Sequence, residues 1–174
     1  MRKKRLLQLT AALLCAVILS ACSGAPADAD YTCTVSISCA TILDNMDQCA
    51  ESKKELVPAD GVILPPTEVA FAEGESAFDV LQRVCRDNGI HLESKFTPVY
   101  NSAYIQGIHN IYEFDVGKLS GWMYAVNDWF PNYGCSLYQV QDGDVIRWVY
   151  TCDLGADVGG GQAAGDGQQE GAST

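Results

Sequence analysis

The chain is short of basic residues, and this shortage limits the partners that it can have. Its 174 residues contain 11 Lys and Arg against 22 Asp and Glu, which gives a formal net charge of −11. Four of the basic residues lie at the very start: Arg2, Lys3, Lys4 and Arg5. Because nucleic acids and other polyanions need basic patches for binding, nucleic acid is excluded as an expected partner.

Recognisable catalytic and metal-binding patterns are also missing from the sequence. The only histidines are His91 and His109, and no two cysteines are spaced as CxxC, so a zinc site is not expected. There is no nucleophile elbow, phosphate-binding loop or HExxH motif. An enzyme is therefore the least favoured class of function, and neither a metal nor a resident cofactor is predicted.

The sequence has no apolar run long enough for a membrane-spanning helix. The apolar run near the N-terminus, residues 6–19, is too short for a stable membrane span. It follows the basic start and precedes Leu19-Ser20-Ala21-Cys22, which has the pattern of a lipobox. This order predicts a lipoprotein signal peptide at residues 1–21, whose removal leaves Cys22 as an acylated N-terminus. We therefore expect an extracytoplasmic protein, lipid-anchored to the bacterial cell membrane. The alternative is an ordinary signal peptide in which Cys22 is incidental.

The rest of the chain divides into a linker, one domain and a tail. After cleavage, 7 basic residues face 22 acidic ones, a net charge of −15. Residues 22–30 form a short lipidated linker, and residues 155–174 are mainly Gly, Ala, Gln, Asp and Ser. Because so few apolar groups cannot offset chain entropy, we predict that this tail is disordered. Residues 31–154 are long enough for a single domain with its own core.

Hydrophobic periodicity predicts strands and one main helix. Residues 31–39 alternate as a half-buried strand, and Ser76 with Asp79 makes a capping-box-like start to a helix that ends near Gly89. Further extended segments are predicted at 62–64, 68–71, 91–96, 103–108, 122–126 and 145–151, with a short helix over 42–49. The turn signal Asp142-Gly143 predicts a hairpin of 138–140 with 145–151. This order favours an α+β domain, a mixed sheet packed on one main helix.

The segment from Tyr100 to Thr151 carries a resemblance to a known family. Its elements are Ala103-Tyr104-Ile105 with Gly107-Ile108, Gly121-Trp122-Met123-Tyr124 with Val126-Asn127, Asn132-Tyr133-Gly134, and Gln141-Asp142-Gly143-Asp144-Val145-Ile146. A helix with Phe78-Asp79-Val80-Leu81 precedes them. Together they resemble the bacterial lipoprotein domain of unknown function that is related to the C-terminal β-domain of transcobalamin and intrinsic factor. The resemblance extends over residues 31–154.

This resemblance implies a β-grasp-like fold of the soluble-ligand-binding type and a class of ligand. In the animal proteins the β-domain covers one face of cobalamin and a separate helical barrel covers the other, so we expect this chain to supply half of such a site. The implied function is binding of cobalamin or another corrinoid for uptake, with a membrane transporter or a second ligand-binding protein as partner. The alternative is a surface module that binds a protein or glycan and no small molecule.

Aromatic and amide side chains are the candidate ligand contacts, because aromatic faces suit a broad, flat ligand and asparagines can hydrogen-bond its amides. The loop 127–134 is the best candidate, since its rings are difficult to bury together beside Pro131. Alternation places Trp122, Tyr124 and Val126 on one strand face, which we expect to be buried. The alternative for any single ring is that it packs in the core and does not contact a ligand. The candidate residues are Tyr104, Asn127, Trp129, Phe130, Asn132 and Tyr133.

Six cysteines follow Cys22, and export favours disulfides among them. Buried free thiols are the alternative, because the sequence reports no redox environment. In the β-grasp fold that the resemblance implies, the first and last strands lie side by side and parallel, which makes neighbours of Cys39 and Cys152. Cys85, on the main helix, could reach Cys33. We therefore predict the pair Cys39 and Cys152 first, with Cys33 and Cys85 as further candidates.

Overall fold

The computed structural model describes residue 26 and residues 28–160. The strands are β1 Tyr31–Ser38, β2 Val62–Phe71, β3 Leu92–Thr97, β4 Ser102–Ile108, β5 Ile111–Tyr112, β6 Gly121–Val126 and β7 Val145–Thr151, and the main helix, α1, is Ala77–Asp87. Short 3-10 helices cover Ala40–Asn45, Glu51–Leu56 and Ala156–Val158. None of the helices within these ranges has the length and apolar character needed to cross a membrane. The predicted signal peptide and Cys22 lie outside the described residues.

The strands form two sheets. The first has the order β2-β1-β7-β6, in which β1 is parallel to β7 and antiparallel to β2, while β6 and β7 are antiparallel. The second is the antiparallel sheet β3-β4-β5. The first and last strands therefore lie together at the centre of the first sheet, which is the β-grasp arrangement. The predicted α+β domain, a mixed sheet with one main helix, is confirmed.

Helix α1 starts at the predicted cap and packs on the main core. Ser76 and Asp79 form a complete capping box, in which each side chain accepts the backbone N–H of the other residue. The buried guanidinium of Arg83 pairs with Glu75 and donates to the carbonyl oxygen of Ala70 in β2, 2.8 Å away. The helix also buries a set of apolar side chains, namely Ala77, Val80, Leu81, Val84 and Cys85.

The predicted hairpin of residues 138–140 with β7 is wrong. Both sides of β7 are already paired, with β1 and β6, so no edge remains for another strand. Gln139 instead forms an isolated bridge with Ser76, at the start of α1. The turn itself is held by the buried carboxylate of Asp144, whose Oδ2 accepts hydrogen bonds of 2.8 Å from Gln141 N and from the Tyr138 hydroxyl.

The segments before α1 also differ from the prediction. β2 is one continuous strand through Pro65-Pro66, because it is an edge strand and the N–H groups that prolines lack are not needed there for pairing. The β1–β2 register shifts between Val35 and Ile37, opposite the two prolines. The predicted short helix over 42–49 is a 3-10 helix over Ala40–Asn45.

Ordered structure continues past the predicted domain boundary at Leu154 to Gly160, the last described residue. Asp157 Oδ2 accepts the backbone N–H of Cys152 at 2.7 Å, which anchors the segment to the end of β7. Val158 packs on a small cluster formed by Ala125, Phe130 and Val149. These contacts hold residues that composition alone predicts to be disordered, whereas residues 161–174 of the predicted tail lie outside the described part of the chain.

The six cysteines of the domain are free thiols, so the predicted disulfides are not formed. β1 and β7 are adjacent as expected, but extending their register places Tyr150, and not Cys152, beside Cys39. Cys152 lies beyond the end of β7. Cys33 and Cys85 are both buried in the main core without being joined.

Candidate functional site

A cavity of about 540 Å³, here called the main cavity, lies between the turn that joins β3 to β4 and the end of the loop 127–134. Nine residues line it: Thr97, Tyr100, Ser102, Ala103, Tyr104, Pro131, Asn132, Tyr133 and Gly134. Three of these are tyrosines and none is charged. The lining therefore combines flat apolar surface with a few hydroxyl and amide groups, as small-molecule sites commonly do.

A second cavity of about 190 Å³, the side cavity, lies between β4 and β6. The two cavities share four lining residues, Ala103, Tyr104, Pro131 and Gly134. We call the two cavities together the groove. The rest of the side cavity is formed by Ile105, Trp122, Met123, Tyr124, Cys135 and Trp148. The groove therefore leads from exposed tyrosine rings at the surface down to buried residues of the main core.

Close packing holds the loop 127–134 against β4 and β6. A Cβ atom on Gly134 would lie 1.4 Å from Ser102 Oγ, so only glycine permits this approach of the loop to β4. The backbone N–H of Ala103 donates to Ser136 Oγ at 2.9 Å, just beyond the loop. Because the groove is built from these contacts between distant segments, its shape depends on the whole fold.

Tyr104 stands where the two cavities meet, since it lines both. Its ring is 44% exposed, and its hydroxyl donates to Glu113 Oε2 at 2.6 Å. Burial, together with this hydrogen bond, raises the pKa of Tyr104 to about 12. The hydroxyl is therefore protonated at neutral pH with its proton directed to Glu113, and its oxygen can accept a hydrogen bond from a ligand.

Three of the six predicted ligand contacts come together in the main cavity: Tyr104, Asn132 and Tyr133. Trp129 is close by, with its ring centroid 6.0 Å from that of Tyr133 in an edge-to-face arrangement, and it is 52% exposed. It is not among the lining residues of either cavity, so it stands beside the groove. Contact of these four residues with a ligand stays a prediction.

The other two predicted contacts, Asn127 and Phe130, are used inside the protein. Asn127 Nδ2 donates to Asp144 Oδ1 at 2.8 Å and its Oδ1 accepts from Val145 N at 2.9 Å, so both ends of the amide are engaged. Phe130 is 6% exposed and packs on Val149, on the face of the first sheet opposite the main core. Their positions do not support the ligand contacts that we predicted for them.

The predicted burial of one face of β6 is confirmed. Trp122, Tyr124 and Val126 are all buried in the main core. Trp122 Nε1 donates to the carbonyl oxygen of Ile111 at 2.8 Å, and the Tyr124 ring stacks on that of Trp148 with centroids 5.5 Å apart. Trp122, Tyr124 and Trp148 also form the inner wall of the side cavity, so the same rings serve the core and the groove.

Several residues of the groove were not among the predicted contacts. Thr97, Tyr100, Ser102 and Ala103 come from the hairpin of β3 and β4. Tyr100 is an exposed ring in a turn, which is a usable sequence signal for a binding residue. Nothing in the sequence indicates that this turn lies beside residues 131–134, because that proximity arises only when the two sheets are assembled.

Comparisons with known proteins found one matching family model and similar solved structures. The family model described as "Domain of unknown function (DUF4430)" matches residues 74–152, just under half of the chain and less than the span 31–154 of the resemblance. No curated protein matches the sequence. Within the described residues there is no group of three or more His, Cys, Asp or Glu that could hold a metal ion.

Two solved structures are similar to the domain. One is haptocorrin in complex with Cbi, with a TM-score of 0.50 and 14% identity over 71% of this chain and 26% of the haptocorrin chain. The other is a putative metal binding protein from Ruminococcus gnavus ATCC 29149, with a TM-score of 0.41 and 14% identity over 70% of this chain and 97% of that chain. This chain thus spans about a quarter of haptocorrin, and at this identity the likeness supports the β-grasp-like fold alone.

Proposed function

We propose that this protein binds a soluble small ligand, cobalamin or another corrinoid, at the extracytoplasmic side of a bacterial membrane, and passes it on for uptake. The role is binding and not catalysis. The observation that carries the proposal is the groove, an uncharged, tyrosine-lined cavity of about 540 Å³ that continues into a smaller one between two sheets.

The chemistry of the groove suits a broad ligand with an apolar body and neutral polar edges. Tyr100, Tyr104 and Tyr133 supply ring faces, and Asn132 supplies an amide that can both donate and accept. The domain is similar in fold to about a quarter of haptocorrin, whose structure is that of a complex with Cbi. The absence of charge from the described lining disfavours strongly ionic ligands, which would lose hydration without gaining a counter-charge.

We propose further that a second protein completes the site. The main cavity lies at the surface, bordered by Tyr100 and Asn132, which are both exposed. A ligand that is covered on one face only keeps much of its surface in water, and this limits affinity. A membrane transporter or a second ligand-binding protein, brought close by the acyl anchor on Cys22, would cover the other face.

The test is calorimetric titration of the purified protein with cobalamin and with cobinamide. We expect saturable binding with affinity on the order of micromolar, and tighter binding when the membrane partner is present. Absence of binding to both compounds, with and without a candidate transporter, would remove corrinoids as the ligand.

One observation favours the alternative of a surface module that binds a protein or a glycan. The end of β3 and the turn that follows it carry apolar side chains that line neither cavity, with Phe96 59% and Val99 85% exposed. Exposed apolar groups beside a surface turn are suited to contact with another macromolecule. If Phe96→Ser with Val99→Ser leaves corrinoid binding intact but abolishes adhesion of the protein to cells or to a glycan array, the turn has this separate role.

A further inference from the structure

A third cavity, of about 330 Å³ and here called the polar cavity, lies where β1 begins and β2 ends. The turn before α1 and the residues that lead into the Asp142-Gly143 turn form its other walls. It shares no lining residue with the groove, so a ligand of the polar cavity is independent of the ligand of the groove. The lining residues are Tyr31, Phe71, Glu73, Gly74, Gln139, Val140, Gln141 and Asp142.

Two carboxylates, those of Glu73 and Asp142, line the polar cavity without a counter-charge. No Lys, Arg or His is among the lining residues, and the salt bridges formed within the described residues all use other acidic side chains. Arg83 on the adjoining helix is buried and pairs with Glu75. A cation that enters the cavity therefore gains attraction to two carboxylates that no side chain of the described residues neutralises.

The polar side chains of the cavity are arranged to accept hydrogen bonds. Asp142 Oδ1 accepts the backbone N–H of Thr32 at 3.0 Å, and its Oδ2 has no hydrogen-bond partner among the described residues. Gln141 Nε2 donates to two backbone carbonyl oxygens, at 3.0 and 3.2 Å, which leaves Oε1 as the free end of that amide. Together with Glu73 this makes three accepting side chains, and a primary ammonium group carries three N–H donors.

The aromatic part of the lining suits an organic cation better than a metal ion. Tyr31 and Phe71 are paired across β1 and β2 with ring centroids 5.7 Å apart, and Tyr31 is 37% exposed. An ammonium group near an aromatic face gains a cation–π interaction. The cavity is far larger than one ion, and no group of three or more metal-ligating side chains is present within the described residues.

We propose that the polar cavity binds a primary ammonium group that is attached to a short apolar chain. Glu73 and Asp142 supply the negative charge, and Gln141 Oε1 is the third acceptor. The apolar chain packs against the Tyr31 ring. This is a second binding site, separate from the groove and of opposite chemical preference, because the described lining of the groove carries no charge.

The direct test is a titration of the full-length protein with butylammonium chloride, followed by ¹⁵N NMR of the backbone N–H groups of Thr32 and Gly74. We expect saturable shifts of both signals, while the N–H of Ala103 in the groove stays unmoved. Butanol has the same chain without the charge and should cause no saturable shift. The proposal is overturned by an absence of saturation with butylammonium, by an equal response to butanol, or by saturation with magnesium chloride at lower concentration.

Charge-removing variants give the second readout. Glu73→Gln and Asp142→Asn each keep the size of the side chain and remove one charge, so each should weaken butylammonium binding about three- to tenfold. Glu68→Gln is the matched control, because Glu68 is an exposed residue of β2 that does not line the cavity. Equal affinities for Glu73→Gln and Glu68→Gln would contradict the proposal. Glu73→Gln alone decides the question if Asp142→Asn disturbs the turn through its bond to Thr32.

The ammonium group has two sources, a soluble amine or the ethanolamine headgroup of a membrane lipid, since Tyr31 directly follows the predicted lipidated linker. The same titration in nanodiscs of phosphatidylethanolamine and in nanodiscs of phosphatidylglycerol distinguishes them. Weaker apparent binding of butylammonium in the phosphatidylethanolamine nanodiscs alone identifies the headgroup as a competing ligand. Equal binding in both identifies a soluble amine as the ligand of the site.

Discussion

The hydroxyl of Tyr124 donates a hydrogen bond of 3.0 Å to the backbone carbonyl oxygen of Tyr133, and this bond joins the core to the wall of the main cavity. Tyr124 lies on β6, where its buried ring stacks on Trp148. Tyr133 lies near the end of the loop and presents its ring to the cavity. A rigid strand therefore sets the position of a loop residue, which is how a preorganised site is built.

Tyr124→Phe should weaken ligand binding more than it weakens the fold. The substitution keeps the stacked ring and removes one neutral hydrogen bond, so we expect a loss of about 0.5–1.5 kcal/mol in the free energy of unfolding. Released from β6, the loop should become less ordered and cobinamide affinity should fall about three- to tenfold. Urea unfolding and calorimetry measure the two effects.

The matched control is Tyr150→Phe. Its hydroxyl bonds to the Tyr112 carbonyl oxygen and to Ser120, away from the groove. Because this hydroxyl makes two bonds, the variant should lose at least as much stability as Tyr124→Phe, with affinity unchanged. Equal affinities for Tyr124→Phe and the unsubstituted protein would show that the bond does not position the loop.

Tyr133→Ala should cost much more affinity than Trp129→Ala, although tryptophan is the larger ring. Tyr133 lines the main cavity, whereas Trp129 lines neither cavity and packs edge-to-face against Tyr133. A central aromatic contact contributes on the order of 2 kcal/mol, or about thirtyfold in affinity, and a ring at the rim contributes less than about threefold. Calorimetric titration of both variants with cobinamide provides the comparison. A larger loss for Trp129→Ala would move the ligand from the cavity to the outer surface of the loop.

Local patterns predicted the elements of this fold because their causes are local. Alternation identifies β1 and the buried face of β6, and the capping box of Ser76 and Asp79 marks the start of α1. The failures have long-range causes. Residues 138–140 are not a strand because β1 already occupies the side of β7 that a hairpin needs. No window of sequence around Asp142-Gly143 contains that information.

The same distinction between local and long-range causes applies to the residues of the candidate site. Aromatic content and turn residues drew attention to the loop, and three of the predicted residues, Tyr104, Asn132 and Tyr133, line one cavity. Asn127 resembles them in sequence but is bound by Asp144, 17 positions away. Phe130 is likewise buried by Val149 on the outer face of the sheet. The tertiary contacts of the folded domain decide which residues of an aromatic loop face a cavity.

Gly134→Ala should destabilise the domain and distort the main cavity. The new methyl group would meet Ser102 Oγ at 1.4 Å and its Cβ at 2.5 Å, so the loop must move away from β4. Overpacking of this kind costs about 1–3 kcal/mol. Adding Ser102→Gly removes both clashing atoms and should restore a large part of the stability, which thermal unfolding of the single and double variants measures. Failure of the double variant to recover would show that the strain lies elsewhere in the loop.

Cys22→Ala tests the predicted anchor. Without the thiol there is no site for the acyl chains, so the protein should be released from the membrane or should accumulate with its signal peptide uncleaved. Fractionation of cells, with the mass of the protein determined in each fraction, distinguishes these outcomes. Cys152→Ala, a cysteine within the folded domain, is the control and should remain membrane-bound. A Cys22→Ala protein that is processed normally and stays in the membrane fraction would contradict the lipoprotein interpretation.

The buried thiols should make the domain sensitive to alkaline pH. Burial raises the pKa of four thiols from 9.0 to about 12, those of Cys33, Cys39, Cys85 and Cys135. In the unfolded chain thiols ionise near pH 9. Between about pH 9 and pH 12 the unfolded state therefore binds fewer protons than the native state. Stability is therefore fully present below about pH 9 and is lost progressively as pH rises towards about 12. Burial acts in the same direction on Tyr104, whose pKa is also raised to about 12.

We expect the urea midpoint, measured under reducing conditions, to change little between about pH 7 and pH 8.5 and to fall steeply by about pH 10.5. Cys85→Ala removes one of the four titrating thiols, so it should lower the midpoint at neutral pH by leaving a small cavity but reduce the further loss at high pH. Iodoacetamide should label Cys152, the one partly exposed thiol among the six described cysteines, before the others. The same measurements without reductant test for disulfides. If the urea midpoint then does not respond to pH and the cysteines stay unlabelled, the thiols are oxidised to disulfides in the native protein.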